Sequence, residues 1–113
     1  MSTNLNKKNR NNFFMSLALK QAMINLGNTK ENPSVGSIIV KNDIVLGIGS
    51  TGVNGRPHAE HQAIKSSKNT ISKADIYITL EPCSHYGKTS PCVKKIIKSK
   101  IKRVFYPMYD LDI

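Results

Sequence analysis

Four side chains in this sequence could do chemistry together: His58, Glu60, Cys83 and Cys92. Two thiolates and one imidazole form a borderline-soft nitrogen and sulfur ligand set that suits Zn2+. Three protein ligands leave the fourth tetrahedral position open, the arrangement of catalytic rather than structural zinc. Neither remaining histidine is well placed to close the set, since His61 lies one turn beyond His58 and His85 follows Cys83 by two. A bound zinc ion lowers the pKa of a water from about 15.7 to roughly 7, so hydroxide is available near neutrality. A carboxylate that is not a ligand can then carry the proton of that water to a departing group, and Glu60 is the acid two residues from His58. The same residues also admit blander readings: a buried histidine with two core thiols, or a Cys83–Cys92 disulfide. The string His58-Ala59-Glu60-His61 has the wrong order for the His-Glu-x-x-His of zinc proteases.

The elements around these residues bear on whether they can meet. Residues two apart on a helix point about 200° from one another, so His58 and Glu60 can share a site only at a helix end. Pro57 opens a predicted helix from His58 to about Ser67, and Ser90-Pro91 starts another that carries Cys92 and the apolar face Val93, Ile96 and Ile97. Two helix N-termini aimed at one point would also stabilise thiolates. Upstream, Met15, Ala18, Leu19, Ala22 and Leu26 follow the spacing of one helix face, predicting a helix over 13–26 capped by Asn12 and ended by Gly27. Gly36 to Val40 and Ile44 to Ile48, separated by Lys41-Asn42-Asp43, predict a hairpin. Ala74 to Leu80 and Lys102 to Tyr106 predict two more strands. The order is that of an α/β sandwich, a hairpin followed by parallel strands joined through helices.

Pro57-His58-Ala59-Glu60 and the run from Thr79 to Cys92, with Pro82-Cys83 and Pro91-Cys92, resemble the bacterial riboflavin-biosynthesis pyrimidine deaminases. Asn32-Pro33-Ser34-Val35-Gly36 is similar to the Asn-Pro-x-Val-Gly segment of that family. The eight residues between Cys83 and Cys92 set the chain apart from relatives with two, such as tRNA adenosine or cytidine deaminases. The resemblance implies a three-layer α/β/α cytidine deaminase-like fold with a mixed sheet, and hydrolytic loss of the 2-amino group from 2,5-diamino-6-ribosylamino-4(3H)-pyrimidinone 5′-phosphate. It further implies that Glu60 carries the protons and that Asn32, His85, Lys88 and Asp110 contact this phosphorylated pyrimidine. Three departures stand out. Thr51 occupies the usual place of a substrate-contacting histidine, and Asp110-Leu111-Asp112 replaces Asp-Pro-Asn-Pro. The chain also stops soon after the fourth predicted strand, short of the family's last helix and strand and of its reductase domain.

Bulk properties narrow the field. A chain of 113 residues has room for one domain, read as a polar tail over 1–12 followed by a deaminase domain over 13–113. No apolar run approaches the ~18 residues of a membrane span, and the polar start lacks a signal-peptide core, so the expectation is a cytoplasmic protein with no membrane partner. The 17 basic and 7 acidic residues give a formal charge of +10, yet 14 of the cations are lysine. Phosphate and base recognition usually enriches arginine, so solvated lysines are the simpler reading and nucleic acid is disfavoured as a partner. Two alternatives stand beside the free-nucleotide deaminase: a nucleoside or nucleic-acid deaminase, and a non-catalytic zinc-bound remnant serving as a binding module. A homo-oligomer or a separate reductase partner would complete the leading assignment.

Overall fold

Ile38, Ile39, Val40, Ile76, Tyr77 and Ile78 are all buried, which requires cover on both faces of the sheet that carries them. The computed structural model describes residues 7–30, 33–67, 70–79 and 91–107, with the side chains of 91–93 excepted. Its strands are β1 (Gly36–Lys41), β2 (Ile44–Ser50), β3 (Asp75–Ile78) and β4 (Arg103–Phe105). They form one sheet in the order β2-β1-β3-β4. β1 is antiparallel to both β2 and β3, and β3 is parallel to β4. The sheet is mixed as expected, the parallel pairing among the described residues being that of β3 with β4.

The helices are α1 (Lys7–Ala22), α2 (Ala59–Ser66) and α3 (Pro91–Lys98). Period-two alternation in β1 sends Ile38 and Val40 to the α1 side, where they join Phe14, Ala18 and Tyr77. Ile39 faces the other way and packs with Ile76, Ile78, Ala63 of α2 and Ile96 of α3. The result is the three-layer sandwich, with α1 on one face and α2 and α3 on the other.

Two element boundaries differ from the periodicity. The first helix starts at Lys7, inside the segment read as a tail, and stops at Ala22 rather than Leu26. Its early turns are held by tertiary contacts that local pattern does not encode: Arg10 pairs with Asp43 at 3.0 Å, and the Tyr77 hydroxyl donates to Asn11 at 2.6 Å. At the other end, Leu19 and Leu26 are 48% and 66% exposed, so only part of the apolar stripe read from spacing, Ala18 with Met15 and Ala22 beside it, faces the core. The hairpin loop is the two residues Asn42-Asp43, both at positive φ (52° and 63°), which suits the twist of adjoining strands and the tolerance of Asn and Asp for that region. Among the described residues no helix is long and apolar enough to cross a membrane.

Candidate metal centre

Glycines at 47 and 49 set the position of α2. They alternate along β2 and share its α2 face, where a Cβ at Gly49 would overlap the Ala59 carbonyl oxygen and stand 2.6 Å from the Ala63 nitrogen. A Cβ at Gly47 would overlap the Ala63 carbonyl oxygen. With hydrogens in place of methyls, the helix lies directly on the strand. Side chains of α2 also satisfy the outer backbone groups of β2, an edge strand. Ser66 Oγ donates to the Ile48 carbonyl at 2.9 Å, and Gln62 Oε1 accepts from the Ser50 nitrogen at 3.4 Å.

Because Ala59 covers Gly49, α2 begins at the Ser50 end of β2. His58 is the N-cap of this helix, in extended conformation (φ −71°, ψ 157°), rather than its first helical residue, and Pro57 precedes the cap. An N-cap residue leaves the helical path, so the 200° separation expected between His58 and Glu60 does not apply. The His58 carbonyl accepts the first helical bond, from Gln62 at 3.1 Å, while its imidazole makes no cap hydrogen bond and is half-buried. Glu60, in the first turn, is 4% exposed. Its carboxylate is thus sheltered from bulk water at the positive end of the helix.

The loop leading into His58 is tied at several points. Gly52 N donates to the Pro57 carbonyl at 3.0 Å, and Asn54 N donates to the Asn28 carbonyl at 2.7 Å. The peptide bond Arg56–Pro57 is cis. Thr51 is buried and its hydroxyl accepts from the Val35 nitrogen at 2.8 Å, while Asn25 Nδ2 donates to the Thr51 carbonyl at 2.9 Å. The residue at the expected place of a substrate-contacting histidine is therefore spent on fastening the segment after Pro33 to the end of β2.

Strand register shows what else reaches this end. Gly36 pairs with Ser50, and beyond the last β1–β3 pair Thr79 N donates to the Gly36 carbonyl at 3.0 Å while Thr79 Oγ1 accepts from Gly36 N at 3.1 Å. Ser50, Gly36 and Thr79 thus form one row at the end of the sheet where α2 starts. α3 returns antiparallel to β3: its exit is fastened to the far end by Lys73 N donating to the Lys100 carbonyl at 2.8 Å and Lys102 N to the Ala74 carbonyl at 2.7 Å. Its start, Pro91-Cys92, consequently lies at the same end of the sheet as His58, and α2 and α3 are in contact.

Cys83, Asn32, His85, Lys88 and Asp110 lie outside the described residues, as does the side chain of Cys92. Among the described residues no group of three or more His, Cys, Asp or Glu converges, the two thiols being outside them. The donor chemistry nevertheless fits zinc, since the imidazole and at least one thiol-bearing residue sit at helix starts that share one end of the sheet. Sequence reading overlooked Gly47, Gly49, Gln62 and Asn25, which align these starts, and met Thr51 only as a departure from the resembled family. The Gly-x-Gly alternation in β2 was the available signal, because glycine repeated at period two marks close backbone approach. A cavity of about 270 Å³ lined by Arg10, Asp43, Asp75 and Arg103 lies at the opposite end and plays no part here.

Residues 8–108 match the family model described as the cytidine and deoxycytidylate deaminase zinc-binding region. The chain is 45% identical over 98 residues to the riboflavin biosynthesis protein RibD of Bacillus amyloliquefaciens, covering 87% of this chain and 26% of that one. Among solved structures, Acinetobacter baumannii RibD superposes with a TM-score of 0.78 at 39% identity, over 86% of this chain and 27% of that one. The diaminohydroxyphosphoribosylaminopyrimidine deaminase/5-amino-6-(5-phosphoribosylamino)uracil reductase of Thermotoga maritima gives 0.78 at 37% identity, over 90% and 30%. The chain thus spans about a quarter of the length of the relatives it matches. With the sandwich, its helix starts and 101 consecutive residues in agreement, the chain belongs to the cytidine and deoxycytidylate deaminase zinc-binding family.

Proposed function

We propose that the chain is the pyrimidine deaminase of riboflavin biosynthesis, releasing ammonia from 2,5-diamino-6-ribosylamino-4(3H)-pyrimidinone 5′-phosphate. The observation that carries this reading is that the α2 and α3 starts lie at the same end of the sheet, with Glu60 buried in the first turn of α2. His58, Cys83 and Cys92 would hold Zn2+ there. Zinc, when bound, supplies the Lewis acidity that makes a water nucleophilic near neutral pH. Glu60 takes one proton of the attacking water and delivers it to the ring nitrogen beside the amine-bearing carbon, then takes the second from the hydroxyl added to that carbon and passes it to the amine, so that the C–N bond breaks, ammonia leaves and the carbon keeps its oxygen as a carbonyl. Burial of Glu60 keeps bulk water from competing for those protons.

Asn32, His85, Lys88 and Asp110 are proposed to contact the substrate, Lys88 meeting the 5′-phosphate as a point charge. The reading puts the enzyme in the cytoplasm, where thiolates stay reduced, and its product passes to a reductase. The commitment of Thr51 to backbone hydrogen bonds favours, as a second reading, a zinc-holding binding module without turnover. The two separate in one assay. With zinc at one per chain, ammonia release is followed from the diaminopyrimidine phosphate, cytidine and tRNA. Release from the first alone, lost in Glu60→Gln with zinc retained, supports the deaminase. Zinc retention with no turnover of any of the three supports the module.

A further inference from the structure

Between Pro91 and Pro107 the sequence holds six cations, Lys94, Lys95, Lys98, Lys100, Lys102 and Arg103, and no acid. All six are exposed. The backbone bond from Lys73 to the Lys100 carbonyl brings a further exposed lysine onto the same edge. Asp75, the acid on the neighbouring strand, is already engaged, since Arg103 donates to its two oxygens at 3.0 and 3.2 Å. Among the described residues the six lysines (73, 94, 95, 98, 100 and 102) take part in no ion pair.

Favourable placement at a helix C-terminus accounts for Lys95 and Lys98 in the last turn of α3. It does not account for the other four. Lys73 and Lys100 stand at φ of 66° and 60°, where asparagine or glycine is the easier residue, so lysine is present at both turns against local preference. Clustering on one edge also differs from a scatter of solvated lysines.

We propose that this edge, from the C-terminal half of α3 through the turn into β4 and across to Lys73, binds the phosphate backbone of a nucleic-acid strand. Phosphates repeat along a strand every ~3.4 Å, so a row of ammonium groups on flexible stems can engage several at once. Lysines as point charges position a backbone without reading bases, and binding is accordingly independent of sequence. An anionic bilayer is the competing surface, but Ile97 is the one large apolar side chain exposed on α3 among the described residues, too little for an interfacial helix. The surface lies at the exit of α3, away from the helix starts, and asks nothing of the zinc site.

The test is fluorescence anisotropy of a labelled mixed-sequence RNA of ~20 nucleotides with the full chain, titrated between about 50 and 300 mM KCl. Six contacts give a log–log salt slope near −4. Lys95→Gln/Lys98→Gln/Lys100→Asn removes three charges from the edge, and Lys7→Gln/Lys8→Gln/Lys20→Gln removes three exposed charges from α1 on the opposite face. The edge variant is expected to bind about 100-fold more weakly at ~0.1 M salt with the slope reduced by about 2, the α1 variant to stay within about threefold. Equal weakening in both variants, binding insensitive to salt, or preference for phosphatidylserine vesicles over RNA at matched phosphate concentration would each overturn the proposal.

Discussion

Gly49→Ala exchanges a hydrogen for a methyl group where α2 touches β2, and the consequences can be worked from the backbone. The new Cβ would stand 2.6 Å from the Ala63 nitrogen and overlap the Ala59 carbonyl oxygen. Ordinary contact needs roughly 3.5–4.0 Å, so the start of α2 has to retreat by about 1 Å, and the atoms in the way are helix backbone with no side-chain rotamer to yield. Overpacking of this kind costs about 1–3 kcal/mol. For a domain of this size that is a fall in Tm of about 4–12 °C, readable by thermal melts followed by circular dichroism. Since His58 and Glu60 sit on the turn that moves, zinc affinity and turnover should fall further than the melt alone implies; a ~1 Å misplacement at a reacting centre can cost about 100-fold. Gly27→Ala is the control: nothing lies within 4 Å of its added Cβ, but its φ is +88°. It should lose about 1 kcal/mol through backbone conformation and leave zinc binding unchanged. A Gly49→Ala protein that melts within ~1 °C of the parent would refute the flush packing of α2 on β2.

Thr51→Val keeps the shape of the side chain but strips the Val35 nitrogen of its acceptor, and should cost about 1–3 kcal/mol in urea unfolding, with Thr51→Ser restoring most of it. The Tyr77 phenol is held above its ordinary value of 10.0 by burial and then by the charge of Asp75, so the folded state retains that proton where the unfolded chain has begun to lose it. The stability this gives is complete below about pH 10 and is lost as pH rises through the higher folded value. Tyr77→Phe should therefore flatten the alkaline fall of Tm, and a spectrophotometric titration should lose one late-titrating phenol. Asn11→Ala removes the acceptor of the Tyr77 hydroxyl and should loosen the first turns of α1, seen as faster amide exchange over residues 7–12 at a cost of about 1 kcal/mol.

Much of the fold could be read before any coordinates. Hairpin, third and fourth strands and the second and third helices lie within a few residues of their predicted places, because their signals are local: alternation in Ile38 to Val40, turn residues at Asn42-Asp43, prolines before His58 and Cys92. α1 was the exception. Of the residues that carried its periodicity, Leu19 and Leu26 stay exposed, while the small Ala18 and Ala22 are where β1 approaches through Gly36. Residue type and spacing named a zinc-suited set and its carboxylate, since ligand chemistry belongs to the side chain itself.

What the sequence by itself determined, then, is the identity of the chemical groups and the local conformations that proline, glycine and alternation impose. Tertiary structure alone decided that His58 caps its helix from outside, that Glu60 is enclosed, and that the α2 and α3 starts share one end of the sheet. Those outcomes depend on strand register and on which backbones can touch, and both are set by contacts between residues far apart in the chain.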